Sequence, residues 1–560
     1  MQQGRSTPAM QRALMILGYN EVYHGFSVMA NTRDADMWLE GILAKYDPAP
    51  SQKPFGRDEF DNLLGHCEAV CDMPANIFGE ELIEAYPDAK LAQQRSAKRE
   101  LAFRVAELHA KYGPIVRIGP DELAFSDPQA WRDIYGHRAR ASGSVSEGEF
   151  AKYDGFYRPV HGTPSSIFSA RRDEHVMLRR QLAPGFSDRY MKAQEPIIGA
   201  YVDLLVRRLR DNCAGGKPLN MREWFSFLTT SPQIWMELTF RNWATFDIIG
   251  DLGFGSSFGC LEDSGYHPWV RNITDNFRHL GYLQVMNALG LQPIIQLIVK
   301  SGIMKKRSAH NQFVTTKVSQ RMKLGAERYD LIEGLIKKKD ELFSGSEEDR
   351  LSLLRMNASV LILAGSETTA TLLSGAVYLL TMNPDKLAKL TREVRDNFAS
   401  DDEITLLSVN DLPYMLACLN ESLRLYPPVA VGTARQVPRG GASVLGKFIP
   451  ENTVVAVWHW AISRDPNFWT EPHMFQPERF MGDPKFKNDH IDAMQPFSYG
   501  PRDCVGRNLA YAEMRLILSK IIWHFDMVID DGSRRWLPDQ KVYILWDKPD
   551  LNIYLTPIRR

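Results

Sequence analysis

Apolar positions along the chain are spaced mostly for helices. The longest such pattern runs from Asp349 to Met382, about 34 residues or ~50 Å at ~1.5 Å per residue. Asn383-Pro384 closes it, because the residue before a proline is pushed out of the α region. A second pattern covers Arg507 to about His524, and Leu101–Tyr112 is a shorter amphipathic helix. Two short strands follow the latter, in Tyr112-Gly-Pro-Ile-Val-Arg-Ile-Gly-Pro120 and Glu122-Leu-Ala-Phe125, split by a Gly-Pro turn. Helices then dominate to about residue 425, so the expected fold class is mainly α with small β-sheets. Val285–Val299 is also apolar, but Asn287, Gln292 and Pro293 interrupt it and it is too short to span a bilayer. It reads equally as a core helix or as a surface helix dipping into lipid. There are no internal repeats or low-complexity tracts.

The front of the chain reads as a separate piece, giving expected domains of 1–95 and 96–560. In it Ala9–Gly18 has helical periodicity, Asp- and Pro-rich turns follow, and Leu63–Val70 and Phe78–Tyr86 are apolar. A chain of 560 residues also exceeds one ordinary core. With 44% hydrophobic and 24% charged residues the composition is that of a soluble globular protein, and a net charge of −1 gives no argument for nucleic acid. Cys67, Cys71, Cys213, Cys260, Cys418 and Cys504 show no paired spacing, which points to a reducing compartment rather than a disulfide scaffold. Cys67 and Cys71 lack a second ligand pair, so zinc is not expected. Residues 1–60 contain neither a signal peptide nor an apolar run of ~20 residues, so no membrane anchor is expected there.

The densest chemistry lies in Phe497-Ser-Tyr-Gly-Pro-Arg-Asp-Cys504-Val-Gly506, just ahead of the helix from Arg507. A lone cysteine is usually a small buried apolar residue, but that does not account for Phe497, Gly500, Arg502 and Gly506 at fixed offsets. They make sense if Cys504 ligates a metal as thiolate. Arg502, the free N–H groups of the following helix and a bound ferric ion would favour the anion, and the glycines allow close approach of a flat ligand.

This loop resembles the haem-binding loop of the cytochrome P450 family, and the resemblance extends over residues 96–560, towards fungal enzymes of secondary metabolism, trichothecene-hydroxylase-like ones among them. It implies the helix-rich P450 fold, with Cys504 as axial ligand of haem iron. Within the long helix, Leu361-Ile-Leu-Ala-Gly-Ser-Glu-Thr-Thr-Ala370 places a carboxylate and an alcohol among apolar turns, where an unpaired carboxylate is costly. The family's oxygen-activation motif matches Ala364, Gly365, Glu367 and Thr368. By that resemblance Gly365 makes room for a bound diatomic, the Thr368 hydroxyl bonds it or its water, and Glu367 relays protons. Glu421 and Arg424 sit three apart on one helix face, and with Arg479 of Phe475-Gln-Pro-Glu-Arg-Phe480 they match the family's buried, structural charge cluster. Arg179, Arg435 and Arg502 match positions that hold the haem propionates. His175, four before Arg179, is either a further propionate donor or a plain surface histidine.

Leu17-Gly-Tyr-Asn-Glu-Val-Tyr-His24, Leu64-Gly-His-Cys-Glu-Ala-Val-Cys-Asp72 and Glu81-Leu-Ile-Glu-Ala-Tyr-Pro-Asp-Ala-Lys90 resemble the N-terminal part of fungal sulfotransferase-like P-loop proteins. A phosphate loop needs a strand before it and backbone donors. Here Gly4-Arg-Ser-Thr-Pro8 stands at the loop position with no preceding strand, and Pro8 removes a donor. The fragment is therefore expected to be vestigial. Asn242-Trp-Ala-Thr-Phe-Asp-Ile-Ile-Gly-Asp-Leu-Gly-Phe-Gly255 also resembles the fungal P450s, but Phe225–Arg241 intervenes without a counterpart.

The resemblance implies a monooxygenase that inserts one atom of O2 into a hydrophobic terpenoid, polyketide or alkaloid. Electrons would come from NADPH through a separate P450 reductase, docking on the Cys504 side where Arg502, Arg507 and Arg515 present positive charge. The family usually sits at the endoplasmic reticulum membrane; without an anchor this chain is expected to be cytoplasmic or peripheral to a membrane. Three alternatives stand beside this: a haem-thiolate isomerase or dehydratase needing no reductase, a non-catalytic haem-binding relic, and a bifunctional fusion.

Overall fold

The structure is a computed structural model of the chain, and it describes residues 22–23, 32–46, 53, 55–64, 67, 69–70, 78, 82, 101–119, 121–137, 149–157, 165–225, 244–259, 261, 305–325, 328–342, 346–542 and 544–558. The chain divides into two compact units: Met1–Leu101 with Arg117–Glu122 and Ala288–Leu291, and Ala102–Val116 with Leu123–Asn287 and Gln292–Arg560. Ala9–Gly18, the stretch Gly4 to Pro8, Val285–Val299 and the insertion beyond Phe225 lie outside the described residues.

In the first unit, strand β1 (Val22–Tyr23) pairs in parallel with β2 (Ala69–Val70), with helices α1 (Thr32–Tyr46) and α2 (Arg57–Leu64) between them in sequence. Parallel pairing requires such a crossover. The small core is aromatic: Trp38 and Phe78 ring centroids are 5.4 Å apart, and Phe60 meets both Phe55 and Phe78 at 5.8 Å. Its polar atoms are matched, since Trp38 Nε1 donates to the Tyr23 hydroxyl at 3.1 Å and that hydroxyl donates to Asp34 Oδ2 at 3.0 Å.

The second unit is helix-rich. It begins with α3 (Leu101–Tyr112), which is followed by β3 (Ile115–Gly119) and β4 (Glu122–Phe125), as the periodicity and the Gly-Pro turn predict. Further along come β5 (Ala151–Lys152), α4 (Arg172–Leu182), α5 (Ala244–Phe254) and the long helix α6 (Glu347–Met382). After these lie α7 (Pro413–Leu425), β6 (Arg435–Gln436), β7 (Val454–Val457) and α8 (Arg507–His524). The largest sheet has strand order β3-β4-β7-β6-β5. Trp131, Ile134, Val455, Val457 and Trp469 are among the buried residues packed about it.

Helix α6 is the axis of this unit. It starts two residues before the Asp349 expected from the pattern, because Ser346 and Asp349 form a capping box: the Ser346 side chain accepts from the Asp349 N–H, and the Asp349 carboxylate from the Ser346 N–H at 2.9 Å. Every residue from Thr369 to Thr381 is buried, so this half is core on all sides, while Ala364 and Thr368 lie on an open side. Gly375 admits the Tyr426 ring into contact with the helix backbone, which draws the end of α7 against α6. Among the described residues α6 is the one helix long and apolar enough to cross a membrane, and 72% of that apolar window is buried inside the protein.

Candidate active site

The Cys504 loop is shaped by backbone sterics before any chemistry enters. Ser498 and Gly500 both adopt positive φ, 65° and 76°. At Gly500 a Cβ would collide with the Tyr135 carbonyl, so glycine is required there. The Cys504 N–H donates to the Phe497 carbonyl at 2.8 Å, and the Phe497 ring packs on Tyr511 of α8 at 5.2 Å. Gly506 differs: a Cβ there would meet Phe186 at an ordinary 3.5 Å and Cys504 Sγ at 3.9 Å, so the protein alone does not demand glycine. What its missing side chain keeps clear is the approach to Cys504.

Cys504 is open on one side and enclosed by protein on the others. Burial pushes its thiol up, and Asp503 adds to this; the Gly506 N–H, Arg179 and Arg507 pull the other way without overcoming it. The Gly506 N–H at the start of α8 favours the anion, as expected of a helix terminus, and the ferric ion named beside it would add the remaining charge. Arg502 is taken up by Glu149, with Nη2 2.7 Å from Oε1. A bound metal cation is what deprotonates a thiol in such surroundings.

Beside the loop, basic groups converge. Lys152 of β5 lies opposite Arg435 of β6 in the strand register. Burial and then the charges of Arg435 and Arg502 depress the Lys152 ammonium, with Glu149 opposing. His175 of α4 is buried, not a surface residue, and is pushed down to about 3 by burial and then by Arg502, Lys152, Arg179 and Arg435, so it is neutral. Arg179 bonds the Asp503 carbonyl at 2.6 Å and its carboxylate at 2.5 Å, so it braces the Cys504 loop. Arg435 is buried over the Tyr135 ring at 5.2 Å, and its Nη1 has no hydrogen-bond partner among the described residues. Lys152, Arg179, Arg435 and Arg502 thus face only the carboxylates of Glu149 and Asp503, so basic side chains outnumber acidic ones here. Lys152 and Glu149 were not found from the sequence; nothing local marks either.

On α6 the motif splits between two faces. On the open side the Thr368 hydroxyl donates to the Ala364 carbonyl at 2.5 Å. On the buried side Glu367 Oε1 pairs with Lys548 Nζ at 2.5 Å and accepts from Thr371 Oγ1 at 3.2 Å, and Lys548 also donates to Thr371 at 2.6 Å. Burial pushes the Lys548 ammonium down, and the Glu367 charge opposes that. At Gly365 a Cβ would come within 2.9 Å of Ile249 Cδ1, so its missing side chain also lets α5 pack closely on α6. Lys548 had no sequence signal.

A sequence model described as Cytochrome P450 matches residues 89–555. The chain belongs to the cytochrome P450 family. Relatives include cytochrome P450 monooxygenase tpeC of Talaromyces stipitatus, 46% identical over 82% of this chain and 85% of that protein. Averantin hydroxylase of Dothistroma septosporum is 44% identical over 80% and 81%, and trichothecene C-15 hydroxylase of Fusarium sporotrichioides 43% over 80% and 87%. A model described as Sulfotransferase domain matches residues 5–98.

This P450 is a haem-thiolate monooxygenase, and its residues fit the group. The excess of basic over acidic side chains and the unpartnered Arg435 Nη1 suit a ligand bearing carboxylates, with guanidinium forks as their natural partners. The structural cluster is fully built as well. Glu421 binds Arg424 through both oxygens at 2.7 and 2.8 Å and lies 3.0 Å from Arg479 Nε, all three side chains at 0% exposure. Arg424 also reaches the Ser463, Pro472 and Met474 carbonyls, and Arg479 is balanced by Asp489, a partner the sequence did not reveal. The docking expectation is narrowed. Arg502 is buried against Glu149 and Arg515 half-buried on Asn410, so of the three arginines Arg507 alone is exposed.

Proposed function

We propose that this P450 hydroxylates a hydrophobic intermediate of fungal secondary metabolism, with Cys504 as iron ligand and electrons from NADPH through a separate reductase. The observation that carries the site assignment is the Cys504 loop opening beside a basic cluster whose buried Arg435 Nη1 has no partner among the described residues. When bound, haem supplies the activation of O2 and the transfer of one oxygen atom, the other leaving as water.

The chain's own residues do the rest. Arg435, Arg502, Arg179, Lys152 and neutral His175 hold the propionates; Phe497, Gly500 and Gly506 shape the loop under the porphyrin. The Thr368 hydroxyl, on the open side of α6 and bonded to the Ala364 carbonyl, would be the donor available to the oxygen chemistry that haem supplies. Glu367 moves protons, with Lys548 holding its carboxylate in a dry interior. Glu421, Arg424 and Arg479 hold the fold beneath. This retained acid–alcohol pair favours monooxygenation, which needs protons to release one atom of O2 as water, over isomerisation or dehydration, which consume no O2. The names of relatives acting on averantin and on trichothecenes favour a lipophilic polycyclic substrate class. The protein is read as cytoplasmic or peripheral to a membrane, and residues 1–95 as a sulfotransferase-like piece without transfer activity, since Pro8 stands where the anion loop needs a donor. No saturable binding of a sulfated adenine nucleotide by the full chain is the expected result.

Supplying enzyme, reductase, NADPH and heavy-isotope O2 to extracts of a deletion strain should yield a product carrying one heavy oxygen. Cys504→Ser should yield none and should lose the thiolate-type absorption band of the reduced, carbon-monoxide-bound protein. Turnover of wild type without reductase and NADPH would refute the monooxygenase reading.

A further inference from the structure

One residue before Cys504, two opposite charges are joined. Arg179 stands in the last turn of α4 and turns both terminal nitrogens to Asp503: Nη1 donates to its carbonyl at 2.6 Å and Nη2 to its carboxylate at 2.5 Å. Paired bonds from one guanidinium fix direction as well as distance. The Asp503 N–H is engaged too, donating to the Gly500 carbonyl at 3.1 Å, and the Cys504 N–H donates to the Phe497 carbonyl. Asp503 is therefore held through its N–H, its carbonyl and its carboxylate, and its charge has a fixed place beside the ligand residue. A guanidinium has more N–H groups than these bonds use, so Arg179 can also meet a propionate.

The loop does not need that charge to hold its shape. The Nη1 bond ties the loop to α4 through a backbone carbonyl, which any residue at position 503 supplies. Both side chains stay partly exposed, Arg179 at 28% and Asp503 at 38%, and exposed ion pairs contribute little to stability. Arg502, on the other side of Asp503, is neutralised by Glu149. What remains for the Arg179–Asp503 pair is an effect through space. The one-electron reduction of iron on Cys504 adds a negative charge, so a carboxylate on the neighbouring residue opposes it and a guanidinium favours it.

We propose that Asp503 holds down the reduction potential of the iron that Cys504 ligates, and that Arg179, fixed on the same carboxylate, limits how far. The inference rests on the reading of Cys504 as that ligand. The electron is the one the reductase supplies, and no bond is made or broken at either residue. Both are positioning residues: they set the charge around the thiolate without touching the reacting atoms.

The test is a spectroelectrochemical titration of the haem-loaded, substrate-free full-length enzyme, with the reduced, carbon-monoxide-bound spectrum taken on the same samples. Asp503→Asn keeps the backbone carbonyl and an oxygen for Arg179 Nη2, so the loop keeps its brace. It should favour the ferrous state about threefold or more, a rise of about 28 mV at ~59 mV per tenfold for one electron, with the thiolate-type band retained. Arg179→Gln should shift the equilibrium about threefold or more the other way, and the double variant should return to within about twofold of wild type. Should Arg179→Gln fail to load haem, Asp503→Asn decides by itself. An unchanged or lowered potential in Asp503→Asn, with the band intact, would overturn this proposal and leave the ligand reading standing. A double variant no higher in potential than Arg179→Gln would do the same. A wild-type protein without the thiolate-type band would overturn both.

Discussion

Lys548→Met is the sharpest perturbation the structure offers. It removes an ammonium 2.5 Å from Glu367 Oε1 and leaves that carboxylate, 3% exposed, with Thr371 as its remaining hydrogen-bond donor in that trio. Breaking a buried pair from one side typically costs about 3–5 kcal/mol. The variant should therefore lose about 3–5 kcal/mol at pH 7.

Adding Glu367→Gln removes the charge that needed a partner, and the double variant should return to within about 1.5 kcal/mol of wild type. Urea unfolding followed by haem absorption reads the P450 unit alone and measures each difference. A Lys548→Met protein as stable as wild type at pH 7, or a double variant no more stable than Lys548→Met, would refute the reasoning.

Three further outcomes are expected. Glu421→Ala strips both Arg424 and Arg479 of their shared carboxylate in a site of 0% exposure, at several kcal/mol, and should give little haem-loaded protein on purification. Arg435→Gln removes one charge-assisted propionate bond, about 1.5–3 kcal/mol, so haem transfer to apomyoglobin should show roughly 10–150-fold weaker retention with the thiolate spectrum intact. Gly500→Ala imposes a positive φ of 76° on a residue with a Cβ and drives it into the Tyr135 carbonyl; beyond the ~1–2 kcal/mol of the backbone term, the thermal midpoint of the haem-loaded protein should drop clearly.

Legibility of the site followed sequence distance. Cys504 with its glycines, the Ala364–Thr368 motif and the Glu421–Arg424 pair were readable because each is a short-range geometry. A loop turn, a helix groove or an i,i+3 pair is fixed by residues only a few positions apart. Their assigned roles were less secure where a third segment decides. Gly365 reads locally as an opening, and only the placement of Ile249 shows that it also lets α5 pack closely on α6. Arg502 reads as a free cation until Glu149, 353 positions away, is seen to hold it.

Sequence alone thus determined the family, the long helix and its terminal proline, and singled out the Cys504 loop, because these depend on local backbone geometry and on residue types at fixed offsets. Tertiary structure decided what each charge does. Lys548 reaches Glu367 across 181 positions, Lys152 meets Arg435 through strand pairing, and Asp489 and Glu149 complete clusters whose other members were legible. The reason is physical: in a dry interior a charge takes its role from whichever opposite charge packing brings within about 3–4 Å, and no local pattern records that partner.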